Sequence, residues 1–184
     1  MYVLIIIKAL FFFLPAYLAN AAPVLLAKLN VFRELAVPVD LGKKIGKNFI
    51  FGNTKTYRGI VGGIAAGIFT ALAQYLIFSY LPQSHYLYLF NYGFIDSILL
   101  GTLMGLGEGL GDLIKSFIKR RIGFKSSSAC FPLDQMSFLG ALFLSFLIYL
   151  PPFEYILAIL IMSPAIPVLA NLIAYKLGWK KVWW

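Results

Sequence analysis

The chain has little of what most catalytic inventories are built from: one cysteine, Cys130, and one histidine, His85. A lone thiol excludes an internal disulfide framework and argues against a multi-thiolate metal site. The histidine falls in a connector, Pro82 to Tyr92, that carries no Lys or Arg, so histidine acid–base chemistry is out of reach of the charged loops. Charged residues make up only 12% of the chain, and seven of them are acidic. There is no repeat with a period of roughly 20 to 50 residues, no low-complexity tract and no polar stretch large enough for a soluble domain.

What the chain has in excess is apolar surface. Hydrophobic residues make up 61% of its 184 positions and its mean hydropathy is +0.85, which excludes a soluble domain with a polar exterior. Five stretches approach the ~20 residues needed to cross a hydrocarbon core: Tyr2 to Ala27, Gly59 to Leu81, Gly93 to Ile114, Leu133 to Leu150 and Phe153 to Lys176. None alternates as a barrel strand would, so each is read as a helix that satisfies its own backbone in lipid. The expected fold class is therefore all-α, a polytopic integral membrane protein with five transmembrane helices. It forms one transmembrane domain over residues 1–184, with polar loops at about 28–58 and 115–134. The first stretch is long, holds Pro15 and Pro23 and lacks a clear positive start, so it is read as a retained helix rather than a secretory signal.

Lys and Arg near helix ends stay in the cytoplasm. Fifteen of the 16 basic residues fall in the two polar loops and the C-terminal tail, and the remaining one, Lys8, is close enough to its helix end to snorkel. That distribution sets the N-terminus outside, the C-terminus inside and both polar loops at the cytoplasmic face of a multi-pass cell-membrane protein. These loops, "GKKIGKNFIFGNTKTYRG" and "KSFIKRRIGFKSSSACFPLDQ", combine glycines, hydroxyls, amides and cations, and loops of this length are usually functional or disordered. Glycines at 59, 63 and 67 and at 101, 105 and 109 recur every four residues. That spacing lets two helix backbones approach closely and draws the two basic loops together.

The stretch "GDLIKSFIKRR", Gly111 to Arg121, carries the densest polar group. At ~100° per residue, Glu108, Asp112, Lys115, Ser116 and Lys119 share one helical stripe, with Leu113, Ile114, Phe117 and Ile118 around the rest of the circumference. An ionisable group inside a span is costly enough to be a functional candidate by default. Ordinary anchoring of a helix end and attraction to lipid headgroups remain open for each cation taken singly. Asp112 and Asp134 bracket the second basic loop. Carboxylates so placed, among lysines and hydroxyls, suit a hard divalent cation that also takes phosphate oxygens, and structural ion pairing is the competing account. Phosphoryl or nucleotidyl transfer fits this inventory, because a phosphomonoester is already a competent oxygen nucleophile at neutral pH and chiefly needs positioning and charge neutralisation.

"GDLIKSFIKRRIGFKSSSACFPLDQ" resembles the signature of the CDP-diacylglycerol synthase superfamily in Asp112, Ser116, Lys119, Arg120, Lys125, Asp134 and Gln135. "GNTKTYRGIVGG" resembles its upstream segment in Asn53, Lys55, Thr56, Arg58, Gly59, Gly62 and Gly63. The short chain, the doubled arginine Arg120-Arg121 and Asp-Gln in place of Asp-Arg are closest to the archaeal branch, the CDP-archaeol synthases. The two motifs cover roughly a third of the chain, and the expected topology agrees throughout.

The resemblance implies that the phosphate of 2,3-di-O-geranylgeranylglyceryl phosphate, an isoprenoid ether lipid, attacks the α-phosphorus of CTP to give unsaturated CDP-archaeol and pyrophosphate. It also implies Mg²⁺ on Asp112 and Asp134. Lys119, Arg120, Lys125, Lys55 and Arg58 would neutralise the phosphates, with Ser116, Asn53 and Thr56 donating hydrogen bonds and Gln135 also at the nucleotide. The partners expected are CTP, the lipid phosphate and membrane lipids, with room for a homodimer and no nucleic acid. One departure stands out. The family often has a second acid three residues after the position of Asp134, where this chain has Ser137, so water, Glu108 or another group would take its place. Two other readings stay in view: a transporter or channel with Glu108 and Asp112 on its ion path, which would spread polar groups through the membrane depth, and an enzyme of the same class acting on phosphatidic acid.

Overall fold

Pro15 cannot donate a backbone hydrogen bond, and a proline fits best in the first turn of a helix. The first apolar stretch accordingly forms two helices, α1 (Tyr2–Phe12) and α2 (Leu14–Leu29), bent by 51° with Pro15 in the first turn of α2. The computed structural model describes residues 2–91, 93–126, 128–179 and 182. Beyond the first pair come α3 (Tyr57–Tyr80), α4 (Phe94–Arg121), α5 (Phe138–Ser145), α6 (Phe153–Met162) and α7 (Ala165–Lys176). Among the described residues the only strands are β1 (Lys44–Ile45) and β2 (Asn48–Phe49), an antiparallel hairpin in the loop before α3.

Two of the expected boundaries move. The apolar span expected to end at Ile114 lies in a helix that runs on to Arg121, as the stripe through Lys119 requires, so the polar loop expected from about 115 starts only after Arg121. No glycine or proline interrupts it before Gly123 (φ 90°), and Lys119, Arg120 and Arg121 in its last turn complement the negative end of the helix dipole. The expected span Leu133 to Leu150 holds a 3₁₀ turn at Leu133–Gln135 and then the eight-residue α5, only ~12 Å long, continued by hydrogen-bonded turns to Tyr149. Three helical stretches are long and apolar enough to cross a membrane, Tyr57–Tyr80, Phe94–Arg121 and Phe153–Lys176, and the bent α1–α2 pair makes a fourth if counted as one span.

Helix α4 is the centre of the packing because it carries two glycine seams. A Cβ on Gly101 would lie 2.7 Å from the Cα of Ile68, and one on Gly105 would lie 2.7 Å from the Cα of Ile64, so α3 and α4 touch backbone to backbone along the predicted seam. A second seam, absent from the sequence reading, sets Gly107 against Gly140 and Ala141 on α5, and Gly111 against Ser137 just before it. The two seams leave the intervening stripe of α4, with its acids and cations, facing the space between α2, α3 and the start of α5. Phe12, Phe13, Leu100, Met104, Phe138 and Ile159, all buried, form the main apolar cluster. Large apolar side chains such as Phe69, Ile95 and Phe143 are largely exposed, as lipid-facing residues must be.

The loop between α2 and α3 is organised by one carboxylate. Asp40 accepts hydrogen bonds from the backbone N–H groups of Gly42 (3.0 Å), Phe51 (2.9 Å) and Gly52 (2.9 Å). Burial alone would raise its pKa, but the donors on Gly52, Phe51 and Gly42 prevail and hold it below the usual 3.8. The stabilisation is therefore complete above the unfolded-chain value and fades as pH falls through the lower folded value. Asp40→Ala should speed hydrogen exchange over residues 40–52 by about tenfold at neutral pH, whereas the parent chain should lose that protection only below about pH 4. Equal protection in both proteins at pH 7, read by mass spectrometry, would refute the role.

Candidate active site

The polar stripe of α4 needs a partner surface, since a charged face cannot lie against lipid. Together with α2, the start of α3, the turn at Leu133–Gln135 and α7, it encloses a cavity of about 720 Å³. Glu108, Asp112, Lys115, Ser116 and Lys119 all line it, as their shared stripe predicts. Lys55, Thr56, Arg120, Asp134 and Gln135 join them from outside the stripe. Pro23, Val24, Ile60, Leu113 and Pro167 add apolar surface to the wall, which also holds Asn20, Lys28, Thr54, Ser128 and Asn171. One cavity thus offers both ionic groups and apolar surface.

The two acids expected to hold a metal are each bound by lysine. Asp112 Oδ2 lies 2.6 Å from Lys55 Nζ, and Asp112 Oδ1 lies 2.9 Å from Lys115 Nζ. Asp134 Oδ1 lies 2.6 Å from Lys119 Nζ, and Asp134 Oδ2 accepts the Cys130 N–H at 2.7 Å. Lys115 also donates to the main-chain oxygen of Asp134 at 2.9 Å, and Lys119 to the main-chain oxygen of Ser128. The loop after α4 is thereby folded back onto the helix it leaves.

Arg120 differs from the lysines. It is 95% buried on the cavity wall, yet its Nε and Nη1 have no hydrogen-bond partner. Buried guanidinium donors without acceptors are costly, and anions with two or more oxygens are their best partners. Gly52 lets the preceding loop pass over this arginine: at φ 100° it adopts a backbone that disfavours side chains, and a Cβ there would meet Ser126 Oγ at 2.8 Å and Arg120 Nη1 at 3.5 Å. Asn48 ties the same loop to α4 by donating to the Arg120 carbonyl at 3.0 Å.

Eight of the expected site residues therefore meet at one cavity: Asp112, Asp134, Lys119, Arg120, Lys55, Thr56, Ser116 and Gln135. Three do not line it. Asn53 and Lys125 are exposed and Arg58 is half-buried just inside α3. Thr56 serves as the N-cap of α3, accepting the Gly59 N–H at 3.3 Å, so its hydroxyl has a structural task as well. Two further lining residues, Asn20 and Lys115, make contacts that the sequence alone does not predict. Asn20 donates to Glu108 and, at 3.3 Å, to Ser137 Oγ, joining α2, α4 and the start of α5 at the deep end of the cavity. It is the one amide in the first apolar stretch, and that isolation was the signal that could have found it. Lys115 meets Asp112 within the stripe itself, three residues on, but its contact with the Asp134 main chain depends on the loop's return path.

The oxygen donors fit a hard divalent ion. No group of three or more His, Cys, Asp or Glu residues stands ready for a metal among the described residues, but Mg²⁺ commonly takes one or two carboxylates and completes its shell with water and substrate phosphates. Asp112 and Asp134 supply two such carboxylates at the edge of a cavity rich in phosphate-binding cations. His85 stands apart, stacked on Phe78 and 2.8 Å from its carbonyl oxygen in the connector after α3.

An ionic cavity walled by apolar helices of membrane-spanning character, with part of its lining apolar, suits an intramembrane enzyme. A solved structure described as "Structural insight into an intramembrane enzyme for archaeal membrane lipids biosynthesis" is similar to this chain over 92% of each, with a TM-score of 0.66 and 28% identity. The family profile described as CarS-like CDP-archaeol synthase matches residues 1–184. The CDP-archaeol synthase of Methanococcus maripaludis is 41% identical over 98% of both chains, and that of Pyrococcus horikoshii is 38% identical over 97% of both. The chain belongs to the CDP-archaeol synthase family.

Proposed function

We propose that this cavity is where the phosphate of 2,3-di-O-geranylgeranylglyceryl phosphate is joined to CMP from CTP. Family membership carries the activity, CTP-dependent cytidylyl transfer in archaeal membrane lipid synthesis. The observation that ties it to these residues is Arg120, whose buried, unpartnered donors face a cavity that already holds lysines and paired carboxylates.

A phosphate oxygen of the lipid forms a bond to the α-phosphorus of CTP, the bond from that phosphorus to the β-phosphate oxygen breaks, and pyrophosphate leaves with the electron pair. No protein nucleophile or histidine base is required. Lys55, Lys119 and Arg120 neutralise and orient the triphosphate, and Ser116 supplies a hydroxyl donor beside them. Asn53, Arg58 and Lys125, away from the cavity wall, act at most on the nucleotide's approach. Glu108 and Asn20 fix the deep end, where the glycerol and the first isoprene units meet the apolar wall of Pro23, Val24 and Ile60. Asp112 and Asp134 would hold Mg²⁺, which neutralises charge developing on the reacting phosphates.

The site opens at the cytoplasmic boundary, with five crossings, an external N-terminus and a cytoplasmic C-terminus. The confinement of nearly all basic residues to alternate connections supports this orientation. In this reading the fourth crossing would be the short α5 with its continuing turns, and the packing of Tyr149 5.5 Å from Phe90 in the connector after α3 and 5.7 Å from Phe12 supports it. The catalytic unit spans 1–184. The gathering of charge at one membrane depth disfavours a conducting path, which needs polar groups from face to face.

Detergent-purified protein should release pyrophosphate from CTP only when both the ether lipid phosphate and Mg²⁺ are present, and EDTA should stop it. Release without lipid, or none with either ether or ester lipid phosphates while the protein remains folded, would overturn the proposal.

A further inference from the structure

The lysines of the cavity pose a problem for any metal at Asp112. Both oxygens of that carboxylate are already taken, one by Lys55 from the loop before α3 and one by Lys115 from the next turn of α4. Lys115 alone bridges the two acids, with Asp112 Oδ1 and the Asp134 carbonyl oxygen each 2.9 Å from its Nζ. An ammonium in that position neutralises a half-buried acid when no ligand is bound, and it also obstructs a divalent ion that would use the same oxygen. Its side chain is only 13% exposed, so the ammonium cannot simply withdraw into solvent. Glu108, on the same stripe and in the same cavity, is already held by Asn20, and the oxygens of a bound triphosphate are the other anionic partners the cavity can take, since Arg120 and Lys119 line it as well.

Building on the assignment of Asp112 as a metal ligand, we infer that Lys115 is a place-holder cation: it occupies the Asp112 carboxylate while nucleotide is absent and turns to the nucleotide's phosphates on binding, so that nucleotide and divalent ion bind as coupled ligands. The lysine lowers affinity for a lone metal ion and raises affinity for the triphosphate. Coupling of this kind is reciprocal, so nucleotide tightens metal binding by the factor by which metal tightens nucleotide binding. Two consequences follow. The empty site carries no uncompensated carboxylate, and a metal ion arriving alone is held poorly. Lys115 is a positioning residue here, because it governs which partner Asp112 faces.

The test uses Mn²⁺ as a spin-active probe of the divalent site in the full-length, detergent-purified protein, with and without a non-hydrolysable CTP analogue. In Lys115→Met, Mn²⁺ should bind about tenfold more tightly without nucleotide, change little with nucleotide, and the analogue alone should bind several-fold more weakly. The coupling between the two ligands shrinks accordingly. Lys115→Gln provides the same neutralisation if Lys115→Met does not fold, and Lys115→Arg should keep the parent pattern. Unchanged Mn²⁺ affinity without nucleotide in the folded neutral variants would overturn the inference. Asp112→Asn separates this failure from a failure of the underlying assignment: Mn²⁺ binding unaffected by Asp112→Asn, with and without nucleotide, removes the metal site itself. Binding lost in Asp112→Asn but unmoved in the Lys115 variants removes only the place-holder.

Discussion

Asp112→Asn and Asp134→Asn should each lower CTP-dependent pyrophosphate release by about a thousandfold while leaving the protein folded. The amide keeps the shape of the side chain and removes its charge. Fold is retained because the affected pairs are modest: Asp112 and Asp134 are 31% and 26% exposed, and partly exposed ion pairs contribute about 1 kcal/mol or less. An asparagine at 134 can still accept the Cys130 N–H through its amide oxygen, so the loop can stay folded back. The loss should fall mainly on kcat, because Lys55, Lys119 and Arg120 remain to hold the triphosphate and the missing charge matters most as pyrophosphate departs. Near-native turnover in either folded variant would remove that residue from the metal set. A loss confined to KM would instead make it a binding group for the nucleotide.

How much of this site could be read beforehand depended on whether a residue's partner lay on the same helix. The α4 stripe was legible because a 3.6-residue period puts Glu108, Asp112, Lys115, Ser116 and Lys119 on one face wherever the helix packs. The glycine seam to α3 was legible for the same reason, as a four-residue spacing in two spans. The seam to α5 was not, since Gly140 stands alone in its segment and pairs with Gly107 only through tertiary packing. The length of α4 was underestimated because a hydropathy window stops where charge begins, yet Lys119, Arg120 and Arg121 favour the end of a helix. Conversely, α5 was overestimated, because apolar composition alone does not reveal that helical geometry gives way to turns after Ser145. The upstream motif was read as a block, but its register on the N-terminus of α3 sends Lys55 and Thr56 to the cavity wall and leaves Asn53 and Arg58 off it. Only the path of the loop, fixed by Asp40, makes that division.

Arg120 should behave unlike the acids, because its effects on activity and on stability have opposite signs. In the free protein its Nε and Nη1 are buried without acceptors, a state that costs about 1–3 kcal/mol for each such group. Replacing it by methionine removes that penalty and keeps much of the packing volume, so Arg120→Met should unfold at an equal or higher temperature than the parent. Its turnover with CTP and lipid phosphate should nevertheless fall by about a hundredfold or more, since the donors left idle in the free protein are those that meet the phosphates. Arg120→Lys should recover little of this, as an ammonium offers a point charge in place of a planar fork. A ligand that binds only the folded state raises its unfolding temperature in proportion to its affinity. CTP should therefore stabilise the parent chain and do so much less in Arg120→Met, which links the two halves of the prediction in one thermal titration. A variant that unfolds earlier than the parent but keeps the full CTP-dependent rise would make Arg120 a packing residue and return the phosphates to the lysines alone.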